Sequence, residues 1–209
     1  MVNGKPSVVK DSNGFGIRPY QSTDLSELYR ICLQTGDNGN DATGLFDKDL
    51  LGHIFAAPYA ISEPKHTHLL TLNEQVCGYI LGMANTSTFV DYCEASWWPT
   101  LRLQYARPDP EDESTESQLV SIIHNGLKCP TFVDQFPAHL HIDILPIGQG
   151  KKLGSRLIDH FCECLAAEDI RGVHLSVGKA NVRASAFYLK TGFEVIDESA
   201  NELIYAKRL

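Results

Sequence analysis

In HLHIDILPIGQGKKLG, residues 139–154, a strand-like alternation runs into a loop holding three glycines and two lysines, and then into a helix pattern. A helix start leaves backbone N–H groups unpaired and carries the positive end of the dipole, so such a loop can hold a diphosphate. Lys151 and Lys152 add formal charge there. On this loop alone, a plain strand-to-helix turn is the alternative. The spacing of Gly148, Gly150 and Gly154 misses G-x-G-x-x-G, and G-x-x-x-x-G-K-[ST] does not occur. In the strand, Leu140, Ile142 and Ile144 share one face, and His139, His141 and Asp143 share the other. A central strand covered on both sides should be apolar on both faces, so the polar row is expected to border a cleft. Two histidines and an aspartate can suggest a metal triad, but nothing else in the sequence supports one, and no metal is expected.

These residues need elements to position them. Residues 1–14 lack periodicity and read as a flexible N-terminal arm, with order beginning near Phe15. FGIRPYQ reads as a strand. STDLSELYRICLQTG reads as a helix, with Asp24 and Glu27 in capping-box spacing and Gly36 at its end. KDLLGHIFAAPY suggests a short helix, and THLLTL and QVCGYILGMAN suggest two strands joined at Asn73 and Glu74. His66 and His68 are expected to face solvent. Residues 86–138 are too long for a plain connection and carry helix-like spacing on both sides of an acidic, proline-containing loop, so a helical insertion is expected. Trp97, Trp98, Tyr92 and Tyr105 lie in it, as a small core or as faces that hold a cation. After it come HLHIDILP as a strand, GKKLGSRLIDHFCECLAAE as a helix and GVHLSV as a strand. NVRASAFYLKTG follows as a helix capped by Asn181 and stopped at Gly192, and FEVIDES and NELIYAKRL form a final strand pair. The order β, α, α, β, β, insertion, β, α, β, α, β, β predicts a single α/β (α+β) domain over residues 15–209, with a mixed central sheet flanked by helices.

The 209 residues are 43% hydrophobic and 21% charged, with a net charge of −8 and a pI near 5.4. Nucleic-acid binding needs a concentrated basic surface, so it is not expected, whereas cationic partners are steered toward such a surface. No stretch is long and apolar enough to span a bilayer, and the first residues lack a secretory signal, so a cytoplasmic location is expected. Six scattered cysteines read as reduced thiols. Cys162 and Cys164, two apart on a helix, point in different directions and make no ligand pair.

The loop and its flanks resemble the GNAT superfamily of acetyl-CoA-dependent N-acetyltransferases, whose central signature reads apolar-x-apolar-x-P-x-x-[Q/R]-x-x-G-x-[G/A]. Ile142, Ile144, Pro146, Gln149 and Gly154 stand in those places. Lys152 replaces the first loop glycine of the family. NVRASAFYLKTGFEV resembles the second signature, N-x-x-A-x-x-[F/L]-Y-x-x-x-G-F, at Asn181, Ala184, Phe187, Tyr188, Gly192 and Phe193. From Ile17 nearly to the C-terminus the chain also looks like the acetyltransferase-like C-terminal domain of O-GlcNAcases and its free-standing bacterial relatives. No glycosidase domain accompanies it here, so hydrolase activity is not implied.

The resemblance implies acetyl-CoA as cosubstrate. Its pantetheine arm would pair with the backbone of Ile144 and Leu145. Gln149, Gly150, Lys151, Lys152, Leu153, Gly154 and Ser155 would form the diphosphate cradle, and Asn181, Phe187 and Tyr188 would stand at the neighbouring helix. The reaction implied is acetyl transfer to a primary amine, of a small molecule or a protein lysine, by direct attack. An ammonium with a pKa of roughly 10 must lose a proton first, and a thiolate with a parent pKa of about 8.5 gains from a donor as it leaves. Tyr188 occupies the family position of that donor, against a role as a core tyrosine. Asp143 is the first candidate to orient the ammonium or accept its proton, against an aspartate held by neighbouring backbone. Asp37, Asn38 and Asp41 lie where this fold often builds its acceptor site. The alternative is a catalytically inactive GNAT-like module that binds CoA or a protein partner.

Overall fold

The computed structural model describes residues 10–209. A seven-stranded sheet runs in the order β1-β2-β3-β4-β5-β7-β6, with β1 Phe15–Pro19, β2 His68–Leu72, β3 Gln75–Met83, β4 Ala138–Ile144, β5 Gly172–Gly178, β6 Glu194–Glu198 and β7 Glu202–Arg208. All neighbours are antiparallel except β4 and β5. The β2–β3 turn is the expected tight one: Asn73 and Glu74 both have positive φ, 48° and 78°, the geometry that matches the twist of a two-residue hairpin.

Helices α1 Leu25–Thr35, α2 Leu50–Phe55 and α3 Ala57–Ser62 build a core on one sheet face with Leu69, Tyr79 and Leu81. On the other face, α7 Leu153–Ala166 and α8 Val182–Lys190 pack Leu157, Phe161 and Tyr188 against Leu70, Ile80 and Leu140. The strand alternation thus feeds two separate cores, and β4 is covered on both sides.

Residues 86–138 hold α4 Thr86–Tyr92, a π turn Cys93–Trp97, α5 Trp98–Gln104 and α6 Thr115–Asn125. Phe89, Trp98, Leu101 and Ile123 extend the first core rather than forming one of their own. Thr86 closes the segment at its base, its amide and hydroxyl both donating to the Pro137 carbonyl at 2.8 and 2.7 Å. Trp98 is fully buried and Trp97 donates its indole N–H to the His53 carbonyl at 2.8 Å, so both tryptophans are structural.

Three local expectations are corrected. Residues 1–9 of the expected arm lie outside the described residues, but order begins before Phe15: the Asp11 carboxylate accepts from the Asn13 and Phe15 amides at 2.9 and 3.0 Å and pairs with Arg156 on α7 at 2.7 Å. Asp24 and Glu27 make no capping box. A 3-10 turn, Ser22–Asp24, starts the helix early, so Asp24 accepts from the Gln21 amide and takes two 2.7 Å contacts from Arg18, while Glu27 pairs with Arg30. His66 and His68 are 1% and 6% exposed, because α7 covers both the 3-10 turn Pro64–His66 and the start of β2.

Candidate active site

β4 and β5 pair only at Ala138↔Val173 and His139↔His174, then part. With β3, the Leu145 amide donates to the opposite Cys77 carbonyl at 2.9 Å, which makes the odd-numbered residues of β4 the hydrogen-bonded ones in this antiparallel register. Leu140, Ile142 and Ile144 therefore aim their N–H and C=O groups at the gap toward β5. The Leu145 carbonyl also accepts from Gly148 at 2.9 Å, so both of its backbone groups already have partners inside the protein. The Ile144 carbonyl accepts from the Gln149 side chain at 2.6 Å.

The glycine loop leads from that edge into α7. Gln149 closes its turn on Pro146, and Gly150 and Lys152 have φ of 74° and 59°. From Gly150 to Ser155, no backbone N–H donates to an acceptor among the described residues. Left-handed residues alternating with ordinary ones, followed by a bare helix start, turn these amides into an anion-binding concavity. Lys152 caps α7 in a conformation that glycine adopts freely and a lysine does not. Its side chain is exposed, as is that of Lys151.

Gly154 links the two signatures. A Cβ there would stand 3.0 Å from the Phe187 ring, so the small residue in the loop lets α8 lie close to α7. Asn181 caps α8, its side-chain oxygen accepting from the Ala184 amide at 3.0 Å. Tyr188 is 7% exposed and packs beside Phe187, Phe193 and Tyr205. Its hydroxyl makes no hydrogen bond among the described residues, and burial, with the Asp143 charge added, pushes its pKa up.

Asp143 is half-buried on the α1 face of β4. Tyr79 of β3, fully buried, donates its hydroxyl to Asp143 Oδ2 at 2.5 Å. Burial raises the Asp143 pKa, while the hydrogen bond from Tyr79 pulls against the rise. The aspartate is thus held by the Tyr79 side chain rather than by neighbouring backbone. The same burial, with the Asp143 charge, pushes the Cys32 thiol up and keeps it neutral.

The rest of the polar row takes another course. His141 Nε2 and His139 Nε2 lie 3.0 and 3.3 Å from the Tyr59 hydroxyl of α3, and His139 Nδ1 is 2.7 Å from Thr86 Oγ1. Burial pushes His141 down to about 4 and His139 well below its ordinary value, so both are neutral rings in a hydrogen-bonded wall. The triad of His139, His141 and Asp143 does not come together around a metal.

Asp37 and Asn40 form a small turn after α1, and Asn38 Oδ1 lies 3.7 Å from where a Cβ on Gly178 would stand. This loop therefore reaches the end of β5, where continuation of the broken β4–β5 register would have met Asp143. Asp41 caps Thr43 of its own loop at 2.8 Å. Tyr79 and Tyr59, which hold the polar row, were missed in the sequence. Tyr79 sits in an alternating strand, but only the β3–β4 register puts it opposite Asp143.

A mixed sheet with one parallel pair that splays, a bare amide cradle beside it and two signatures locked by Gly154 and Phe187 define an acetyltransferase-type fold. The chain belongs to the Acetyltransferase (GNAT) family, whose profile matches residues 41–193. It is 25% identical over 194 residues to protein O-GlcNAcase of Rattus norvegicus and of Mus musculus, covering 91% of this chain and 21% of each of those proteins. It thus spans about a fifth of the curated relatives it matches. The crystal structure of SsHAT superposes with a TM-score of 0.85 at 31% identity, over 93% of this chain and 98% of that one. The PaiA N-acetyltransferase of Thermoplasma acidophilum, solved in complex with coenzyme A, shares the fold at a TM-score of 0.54 and 14% identity, over 93% and 99% of the two chains. Among the described residues no helix is long and apolar enough to cross a membrane.

Proposed function

We propose that this chain is an N-acetyltransferase that moves acetyl from acetyl-CoA to a primary amine by direct attack. The observation that carries it is the run of unpaired amides from Gly150 to Ser155 at the open edge of β4. Bound there, acetyl-CoA supplies an activated acetyl thioester. The residues fit it: the amides and the Lys151 and Lys152 ammonium groups would hold the diphosphate, and Gln149 would keep the loop folded on Ile144. The gap-facing backbone of Ile142 and the amide of Ile144, whose carbonyl Gln149 already holds, would pair with the pantetheine arm in place of the partnered Leu145. Asn181 and Phe187 would shape the cleft by holding α8 against α7.

Asp143 takes the ammonium proton, directly or through a water, and its raised pKa suits it to do so. Tyr188 keeps its phenol proton at neutral pH and gives it to the departing sulfur. The loop of Asp37, Asn38 and Asp41 borders the acceptor side, and the net charge of −8 draws in a cationic amine, of a small molecule or a protein lysine.

Isothermal titration tests the first step. Acetyl-CoA is expected to bind one molecule per chain, and absence of heat at high protein concentration, beside a working control, sinks the reading. Binding without acetyl transfer across a broad amine panel would instead identify a non-catalytic module.

A further inference from the structure

Away from the splayed strands, three side chains with no part in the chemistry above converge between the sheet and α7. His68 opens β2, and His160 and Cys164 stand four residues apart on one side of α7. One potential ligand atom of each lies within 4.8 Å of the other two. The His160 Nε2 to Cys164 Sγ distance is 3.9 Å, and the His68 and His160 rings meet edge-on with centroids 4.3 Å apart. His68 is 6% exposed, and its buried Nδ1 has no hydrogen-bond partner. An orphaned polar atom of this kind costs about 1–3 kcal/mol, so a buried imidazole without one calls for a ligand.

We propose that His68, His160 and Cys164 bind a divalent cation of the zinc class, with a fourth position left to water. Two imidazoles and a thiolate are the donors Zn²⁺ prefers, whereas Ca²⁺ and Mg²⁺ take oxygen. Zinc bonds of about 2.0–2.1 Å to nitrogen and about 2.3 Å to sulfur set tetrahedral ligand separations of about 3.3–3.7 Å. The three atoms, all within 4.8 Å of one another, need close by about 1.5 Å at most, within the reach of side-chain torsions. His66 is already engaged by Glu168, Nε2 to Oε1 at 3.0 Å, which leaves it out of the ligand set. A bound cation would staple the start of β2 to the second half of α7, the helix whose first turn forms the amide cradle. The site stands independently of the acetyltransferase reading.

The test uses the whole chain, stripped by a chelator and titrated with Zn²⁺ against a chromophoric competitor, with Co²⁺ as a spectroscopic probe. One Zn²⁺ per chain and a thiolate-to-Co²⁺ charge-transfer band are expected. Cys164→Ser should remove the band. Both Cys164→Ser and His160→Ala should weaken Zn²⁺ binding by more than about 100-fold, since loss of even an outer partner of a metal ligand costs about 10–100-fold. Cys129→Ser, at an exposed cysteine, should leave both readouts unchanged. Should Cys164→Ser fail to fold, alkylation of Cys164 in the unsubstituted chain, followed by mass spectrometry, serves instead, and Zn²⁺ should slow it. Absence of stoichiometric binding, binding unchanged in both variants, or an alkylation rate indifferent to Zn²⁺ would each overturn the proposal.

Discussion

Tyr79→Phe isolates the contact that holds Asp143. The substitution removes one hydroxyl and keeps the ring, so the packing of this fully buried side chain is preserved. Tyr79 donates to Asp143 Oδ2 at 2.5 Å, and a donor stabilises the carboxylate over the acid. Its loss therefore raises the Asp143 pKa, adding to the rise that burial already causes. A hydrogen bond to a charged group is worth about 1.5–3 kcal/mol, and one pKa unit corresponds to about 1.36 kcal/mol. The expected shift is about 1–2 units upward, smaller if a water fills the space. A carboxyl ¹³C NMR titration of aspartate-labelled protein reads it without any need for an acceptor. Stability gives a second reading: the variant should match the parent at low pH, where Asp143 is protonated in both, and fall behind it as pH rises and the carboxylate forms. An Asp143 pKa that stays put or moves down would refute this account of the polar row. If Asp143 is the base, the acid limb of kcat/KM moves up by the same amount.

Tyr188→Phe should lower kcat by about 10²–10⁴, the usual weight of a positioned proton donor, while calorimetry finds acetyl-CoA affinity near that of the parent. Lys152→Gly relieves a left-handed φ of 59° and should raise stability in urea by up to about 1 kcal/mol, part of the relief being offset by unfolded-chain entropy. Gly154→Val places carbon against the Phe187 ring, where a Cβ alone stands 3.0 Å away. It should cost about 1–3 kcal/mol in the same assay and weaken acetyl-CoA binding. The His141 ring, pushed down to about 4 by burial, should show no titration by NMR between about pH 5 and 8, where an ordinary histidine changes charge.

Much of this was legible before the fold. Alternation in HLHIDIL assigned opposite faces to the two sets of residues, and the structure places Leu140 and Ile142 in one core and the polar row under the other. Asn181 was read as a helix cap, and it is one. The hairpin at Asn73 and Glu74 also follows from local backbone preference. Capping at Asp24 was misread because a 3-10 turn starts the helix early, so that Asp24 accepts from the Gln21 amide behind it and from Arg18 rather than capping toward Glu27. His68 was misread because nothing in THLLTL shows that α7 will lie across it.

Spacing along one helix or strand, with periods of 3.6 and 2.0, was enough for the order of elements, and the motifs around Gln149 and Tyr188 carried the family resemblance. Pairing across chain-distant elements was decided only in three dimensions. The β3–β4 register puts Tyr79 against Asp143 and turns Ile142 and Ile144, rather than Leu145, toward the gap. Packing of α7 on β2 brings His68 to His160 and Cys164, a pair four residues apart that was not singled out in the sequence. Local periodicity is a property of each segment, whereas register and docking depend on which surfaces bury one another, and that is settled by the whole chain at once.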